Sequence, residues 1–326
     1  MKKHLLYRLF NGRRDDLPDA KPEDNTPTFR NFFRIFGRRF WKLITLNLLM
    51  LPMVIPILIA VMIYLYAART PIASDPVFAP VYGASIIRHS PATSLLLDLF
   101  GAPRNVIAYH SVGVYVGIGI CALFLLLTFG IQNVGSAYVL RGLVRGDPVF
   151  VFSDYFYGIK KNWKQGALLG ALDFLILFLF GFDILFSYGR LGSFWNNVMF
   201  YLLCALSVLY MLMRFYLYLL QITFRLSIRK ILKNALIFTT LGIKRNLMAM
   251  LGVGLLIGIN ALLVFAFGSV NIVIPLILPV LYFLPVTAFI TTYAAYPVID
   301  RYMIEPFRNR ESQKEDSEES SSGSGE

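Results

Sequence analysis

The chain has 326 residues, of which 57% are hydrophobic and 15% charged, and its formal net charge is +12. Soluble globular domains carry about 25% charged residues, so this composition predicts a membrane protein. Cys121 and Cys204 both lie in apolar stretches, which in practice excludes a disulfide-stapled secreted domain and a thiolate zinc site.

Residues 1–28 are predicted to form a cytoplasmic N-terminal tail and linker, because residues 15–28 hold three prolines among acidic residues. An amphipathic segment follows. Its phenylalanines recur at helical spacing, and Arg30, Arg34 and Arg38 share another face. This pattern predicts a helix that lies at the membrane interface. The phenylalanines are Phe29, Phe32, Phe33, Phe36 and Phe40.

Six apolar stretches reach the length of about 20 residues that a helix needs to cross a bilayer. They predict an all-α polytopic protein with a six-helix transmembrane domain over residues 29–308 and an outer loop at 68–111. Residues 309–326 are rich in serine and acids, which predicts a disordered cytoplasmic tail. The predicted spans are residues 43–67, 112–140, 166–187, 195–223, 247–268 and 272–296.

The basic residues are distributed unevenly between the two sides of these spans. Residues 1–42, 141–165, 224–246 and 297–326 hold 26 of the 31 lysines and arginines. Because cytoplasmic flanks carry the excess of these residues, we expect a multi-pass plasma-membrane protein with both termini in the cytoplasm. The same distribution accounts for the net charge, so no nucleic-acid partner is needed.

A basic segment, called an elbow below, precedes each odd-numbered span. The three elbows read GRRFWK at 37–42, GIKKNWK at 158–164 and GIKRNL at 242–247. They suggest three repeated units of amphipathic elbow plus helical hairpin. Anchoring at anionic lipid headgroups, docking of a cytoplasmic partner, and duplication without shared function all remain open. The candidate docking or lipid surface comprises Arg38, Arg39, Lys160, Lys161, Lys164, Lys244 and Arg245.

Asp173 and Arg214 are charged residues inside predicted spans, where a charge costs a few kcal/mol unless it is paired or hydrated. At a rise of 1.5 Å per residue, Asp173 lies about 10 Å and Arg214 about 13 Å from the cytoplasmic ends of their spans. Adjacent antiparallel spans could therefore pair them. In the alternative, Arg214 extends to the interface and Asp173 faces water independently.

Prolines interrupt the first and sixth spans, and each removes a backbone donor. Because broken helices line substrate sites in transporters, a cavity between these spans is one hypothesis, and simple kinks are the alternative. Glycines at GxxxG spacing, such as Gly166 with Gly170 and Gly254 with Gly258, allow close helix contact. The candidate cavity residues are Asn47, Pro52, Pro56, Asn260, Pro275 and Pro279.

The sequence contains no phosphate-binding loop of the form GxxxxGK[ST], no HExxH and no CxxC. Two His-Ser pairs, at 89–90 and 110–111, do not by themselves establish the hydrogen bond that a nucleophile and its base require. We therefore expect a non-enzymatic protein without cofactors. Inner loops of about 25 residues are too short for a nucleotide-binding domain, so the chain would not itself power ATP-driven transport.

Four segments carry a resemblance to a known family. They are FFRIFGRRFWKL at 32–43, LNLL at 46–49 with Pro52 and Pro56, RGLVRGD at 141–147, and YFYGIKKNWKQG at 155–166. In these segments, and in order over nearly the whole chain, the protein resembles the YesL-like family of bacterial integral membrane proteins. It departs from the family pattern in its long outer loop 68–111 and in residues 11–14, which match the glycine-rich start only loosely.

The resemblance implies an accessory or scaffold role, since members of that family tend to accompany ATP-driven carbohydrate uptake systems and sensor kinases. The expected partners are thus the lipid bilayer, a carbohydrate uptake complex or a sensor kinase. An autonomous small-solute transporter or channel, with a cavity lined by proline-broken helices, is the alternative. An intramembrane or outer-face enzyme has the least support.

Overall fold

The computed structural model describes residues 26–66, 112–267, 273–306 and 308. The predictions made for the outer loop 68–111, for most of the N-terminal tail and for the C-terminal tail 309–326 fall outside these ranges. Within them the chain is helical and contains no strand.

The described ranges contain seven α-helices and one π-helical turn. All of the α-helices except the fifth are long and apolar enough to cross a membrane, which confirms the prediction of an all-α protein with six membrane-spanning helices. The elements are α1 Phe29–Tyr66, α2 Val112–Arg145, α3 Val151–Tyr188, α4 Phe194–Thr223, α5 Ile228–Leu241, α6 Ile243–Phe267, α7 Val273–Ile299 and the π-helical turn Asp300–Ile304.

The first two elbows continue into the spans that they precede. Helices α1 and α3 each have 38 residues, and at 1.5 Å per residue each is about 57 Å long. This exceeds the hydrocarbon thickness of about 30 Å, so both helices extend beyond it at their basic ends. The third elbow differs, because Gly242 separates the 14-residue helix α5 from α6.

Glycines and polar caps set the turns between the helices. Gly146 (φ 81°) and Gly192 (φ 132°) adopt positive φ values, which cost glycine little because it has no Cβ. At the start of α3, the Asp154 side chain accepts a hydrogen bond from the backbone N–H of Phe150 at 2.9 Å. At the start of α4, the Ser193 hydroxyl accepts from the N–H of Asn196 at 3.4 Å. These groups satisfy donors that a helix start leaves unpaired.

The chain divides into two compact units, Met1–Val54 with Leu126–Glu326, and Ile55–Leu125. In the smaller unit, α2 passes α1 closely, since a Cβ placed on Gly117 would lie 3.1 Å from the Ile63 side chain. The larger unit has two buried apolar clusters. One centres on Tyr216 and Leu220 of α4, and the other contains Leu43 of α1 and Phe289 of α7.

Close approach of α2 and α3 depends on glycine. A Cβ placed on Gly130 would collide with the backbone of Gly166 and Gly170, so the GxxxG pair of α3 lies against a glycine of α2. Gly254 and Gly258 have the same spacing in α6, yet apart from α6's own backbone no described residue lies within 4 Å of a Cβ placed on either of them. Only the first of these two glycine pairs therefore brings two described helices together.

Candidate functional site

Asp173 lies at the centre of a polar cluster between α3 and α4. The residue is fully buried, and its carboxylate accepts hydrogen bonds from the hydroxyls of Tyr210 and Tyr218 at 2.8 and 2.7 Å. The Nε atom of Arg214 lies 2.9 Å from Oδ1 and 3.1 Å from Oδ2. The structure thus brings together the two charged residues that the sequence analysis singled out.

The donors to Asp173 come from one face of α4. Tyr210, Arg214 and Tyr218 are spaced four residues apart, and side chains at i and i+4 lie on the same side of a helix. Of these three residues only Arg214 was a candidate from the sequence, and both tyrosines were missed. Their spacing around an intramembrane arginine was the signal that could have found them.

The two members of the ion pair differ in exposure. The Asp173 side chain is 0% exposed and the Arg214 side chain 24%. Moving two charges out of water is expensive unless hydrogen bonds satisfy their remaining polar atoms. The tyrosine hydroxyls do this for the carboxylate, while the Arg214 guanidinium lies 5.6 Å from the ring centroid of Phe129.

Beside the ion pair lies a cavity of about 460 Å³. Arg214 and Tyr218 contribute to its wall, together with hydroxyl-bearing and apolar side chains of α1, α2, α4, α6 and α7. Such volumes fall within the range of about 300 to 1,000 Å³ typical of small-molecule sites. The cavity can therefore hold a small solute beside a charged side chain.

The cavity beside Arg214 is lined by residues of α1 and α7, the two helices of the proline hypothesis, but not by the side chains that the hypothesis named. None of Asn47, Pro52, Pro56, Asn260 and Pro279 lines the cavity beside Arg214. Helices α1 and α7 also run unbroken through their prolines, which include Pro275. A proline costs a helix one backbone donor without ending it when neighbouring groups satisfy the freed carbonyls.

The two asparagines of that hypothesis join helices. Asn47 Nδ2 donates to the Val280 carbonyl at 2.8 Å, one residue from the carbonyl that Pro285 leaves without its helical donor. Tyr282 donates its hydroxyl proton to Asn260 Oδ1 at 2.8 Å. These contacts connect α7 with α1 and with α6, which gives both asparagines a structural use.

The candidate docking or lipid surface divides into exposed and partly buried cations. Arg39 is partly buried and donates to the carbonyls of Asp147 and Gly146 at 2.8 and 3.1 Å. Its guanidinium therefore holds the loop between α2 and α3. Arg245 is also partly buried and lines a separate cavity of about 810 Å³. The exposed members are Arg38, Lys160, Lys161, Lys164 and Lys244.

Within the described ranges, no three His, Cys, Asp or Glu side chains lie close enough together to hold a metal ion. Comparison of the chain with family models, with curated proteins and with solved structures gives no match.

Proposed function

We propose that this is a non-enzymatic accessory or scaffold protein of the bacterial plasma membrane, associated with carbohydrate uptake or sensing. The resemblance to the YesL-like family supports this role. The observation that carries it is the row of exposed cations on the elbows, Arg38, Lys160, Lys161, Lys164 and Lys244. In the proposal both termini are cytoplasmic, and the partner is an uptake complex or a sensor kinase.

Exposed cations on a membrane protein have two uses that must be separated. Complementary charge speeds association and suppresses wrong partners, which suits a docking surface. Lysine and arginine near the membrane also attract anionic lipid, at about 1 kcal/mol each. A test of docking must therefore compare two sets of cations that contribute equally to lipid attraction.

The chain supplies such a matched pair of variants. The test variant changes Lys160, Lys161, Lys164 and Lys244 to Gln. The control changes the equally exposed Arg225, Arg229, Lys230 and Lys233 to Gln, so both lose the same charge from the basic segments. Arg39 is left intact, because its guanidinium holds the loop at residues 146–147.

Each variant is purified from native membranes at equal membrane levels, and copurifying uptake or sensor subunits are quantified. We expect the test variant to lose about tenfold in recovery and the control to stay near the unmodified protein, because charge at a contact acts locally under physiological screening. Equal losses in the two variants would assign the elbows to lipid attraction. If nothing copurifies with the unmodified protein, the accessory proposal fails.

An autonomous small-solute transporter or channel is the second candidate, and the cavity of about 460 Å³ beside Arg214 favours it. The test is uptake of a labelled solute into liposomes that contain the purified protein alone. Flux above that of empty liposomes, together with the absence of copurifying subunits, would replace the accessory role with this one.

A further inference from the structure

The cavity beside the ion pair has one strong group of donors, the Arg214 guanidinium. Arg214 bonds Asp173 through Nε. Among the described residues, the two terminal amino groups of Arg214 have no hydrogen-bond partner, and the side chain lines the cavity. A guanidinium presents a planar fork of N–H groups that matches a carboxylate with two parallel hydrogen bonds. The cavity thus offers a carboxylate its preferred partner.

The charge around this fork limits which anion fits. Asp173 offsets the formal charge of Arg214, and its oxygens already accept from Tyr210 and Tyr218. A bound acid therefore meets a carboxylate both of whose oxygens already accept hydrogen bonds. Because the pair has no net formal charge, the site favours a monoanion over a dianion such as a phosphate monoester.

The cavity's hydroxyls act mainly as acceptors. Ser136, Ser207, Thr287 and Thr291 line the cavity, and each donates its proton to a carbonyl of its own helix at 2.8 to 3.0 Å. A hydroxyl oxygen that has donated its proton keeps lone pairs for a ligand. Thr292 also lines the cavity, and its hydroxyl has no partner among the described residues. A complementary ligand must therefore bring its own donors.

From these contacts we propose that the cavity binds a small hydroxylated monocarboxylate. The acid group lies on the terminal amino groups of Arg214, and the ligand's hydroxyls donate to the serine and threonine oxygens. Asp173, Tyr210 and Tyr218 are positioning residues that orient the guanidinium. This site goes beyond the docking role, because none of the exposed elbow lysines lines the cavity.

Three six-carbon probes separate recognition of the ligand's carboxylate from recognition of its hydroxyls. Gluconate carries a carboxylate and hydroxyls, sorbitol carries hydroxyls alone, and hexanoate carries a carboxylate alone. Binding to the purified full-length protein in detergent is measured by isothermal titration calorimetry. We expect gluconate to bind at least about tenfold more tightly than either of the other two. Sorbitol leaves the Arg214 amino groups without a carboxylate, and hexanoate leaves the serine and threonine oxygens without donors, and such unpaired polar groups weaken binding.

Two variants then locate the site. Arg214→Lys keeps the charge beside Asp173 but removes the fork, and Val253→Phe fills the cavity from α6 while leaving both residues of the ion pair unchanged. Both should weaken gluconate binding by about tenfold or more. Arg214→Lys loses the charge-assisted bidentate contact, and Val253→Phe loses the space for the ligand. The control Val198→Phe, at an exposed position of α4 outside the cavity, should leave binding unchanged. Gel filtration and thermal unfolding establish that each variant is folded.

Several results would overturn the site. They are no heat of binding for gluconate at millimolar concentration, equal affinity for gluconate and sorbitol, equal affinity for gluconate and hexanoate, or unchanged binding in a folded Val253→Phe variant. If Arg214→Lys does not fold, the three ligands and the comparison of Val253→Phe with its control Val198→Phe still decide between these outcomes. A positive result leaves the docking proposal untouched, because that proposal is tested by copurification.

Discussion

Asp173 shows how a charge can be held inside a membrane-spanning helix. Both carboxylate oxygens have donors, from Tyr210, Tyr218 and Arg214, so neither oxygen of this fully buried residue lacks a hydrogen bond. Breaking a buried pair leaves one charge uncompensated, whereas removing both charges does not. Removing one of the two charges and removing both should therefore lower the free energy of unfolding by amounts that do not add.

We expect Asp173→Asn and Arg214→Gln each to lower the free energy of unfolding by about 3 to 5 kcal/mol, and the double variant to lose less than the sum of the two. The measurement is thermal unfolding and folded yield in detergent. Asp183→Asn is the matched control, because Asp183 is in the same helix and has no ion pair among the described residues. Additive losses would show that the two charges act independently in the folded protein.

At the scale of helices, glycines decide which pairs come close. Gly130 of α2 lies against Gly166 and Gly170 of α3, whereas no described residue packs closely against Gly254 or Gly258 of α6. The same GxxxG spacing thus has different uses in two helices. Spacing alone indicates where close contact is allowed, and the partner surface determines whether it occurs.

Gly130→Ala and Gly170→Ala should each destabilise the protein by about 1 to 3 kcal/mol or more, because the added methyl meets backbone that can move only with its helix. Gly254→Ala and Gly258→Ala should be neutral or stabilising by up to about 1 kcal/mol, since alanine is the better helix former. Thermal unfolding of the four variants measures the difference. A similar effect of all four would contradict the close contact of α2 with α3.

How well the sequence predicts a structural feature depends on how far apart in the chain the interacting residues lie. Apolar length alone predicts the six spans, and equal depth in neighbouring antiparallel spans is enough to suggest that Asp173 meets Arg214. The buried position of Asn246 could not be predicted in this way. It belongs to the third elbow, yet it is fully buried, accepts from the Tyr216 hydroxyl at 2.7 Å and donates to the Thr239 carbonyl at 3.0 Å.

The cavity could not be predicted for a similar reason. Its wall combines side chains from five helices, and the rotation of each helix about its axis is set by packing contacts such as Gly130 against Gly170. The prolines suggested a cavity because each removes a local donor. Asn47, which donates to Val280, lies more than 200 positions from it in the sequence, and such a distant contact leaves no local pattern.

At the scale of the whole molecule, the six spans and the charge pattern predict where the connecting segments lie. An even number of spans returns the chain to its starting side, and the cytoplasmic side carries the excess of lysine and arginine. Contacts of Arg39 and Lys42 with the loop at residues 146–149 put the first elbow beside the α2–α3 loop. These basic segments should therefore share one side of the membrane.

Cysteine labelling tests this arrangement directly. Cys121 and Cys204, which are both free thiols, are replaced by Ala, and single cysteines are introduced in place of Ser90, Arg190, Lys160 and Ser317. In intact cells an impermeant reagent should label positions 90 and 190 only, because the positive-inside rule places the other two in the cytoplasm. Permeabilised cells are the control and should show labelling at all four positions. Labelling at 317 without labelling at 160 in intact cells would contradict the six-span count, whereas labelling at both, with 90 and 190 protected, would keep the spans and reverse their orientation.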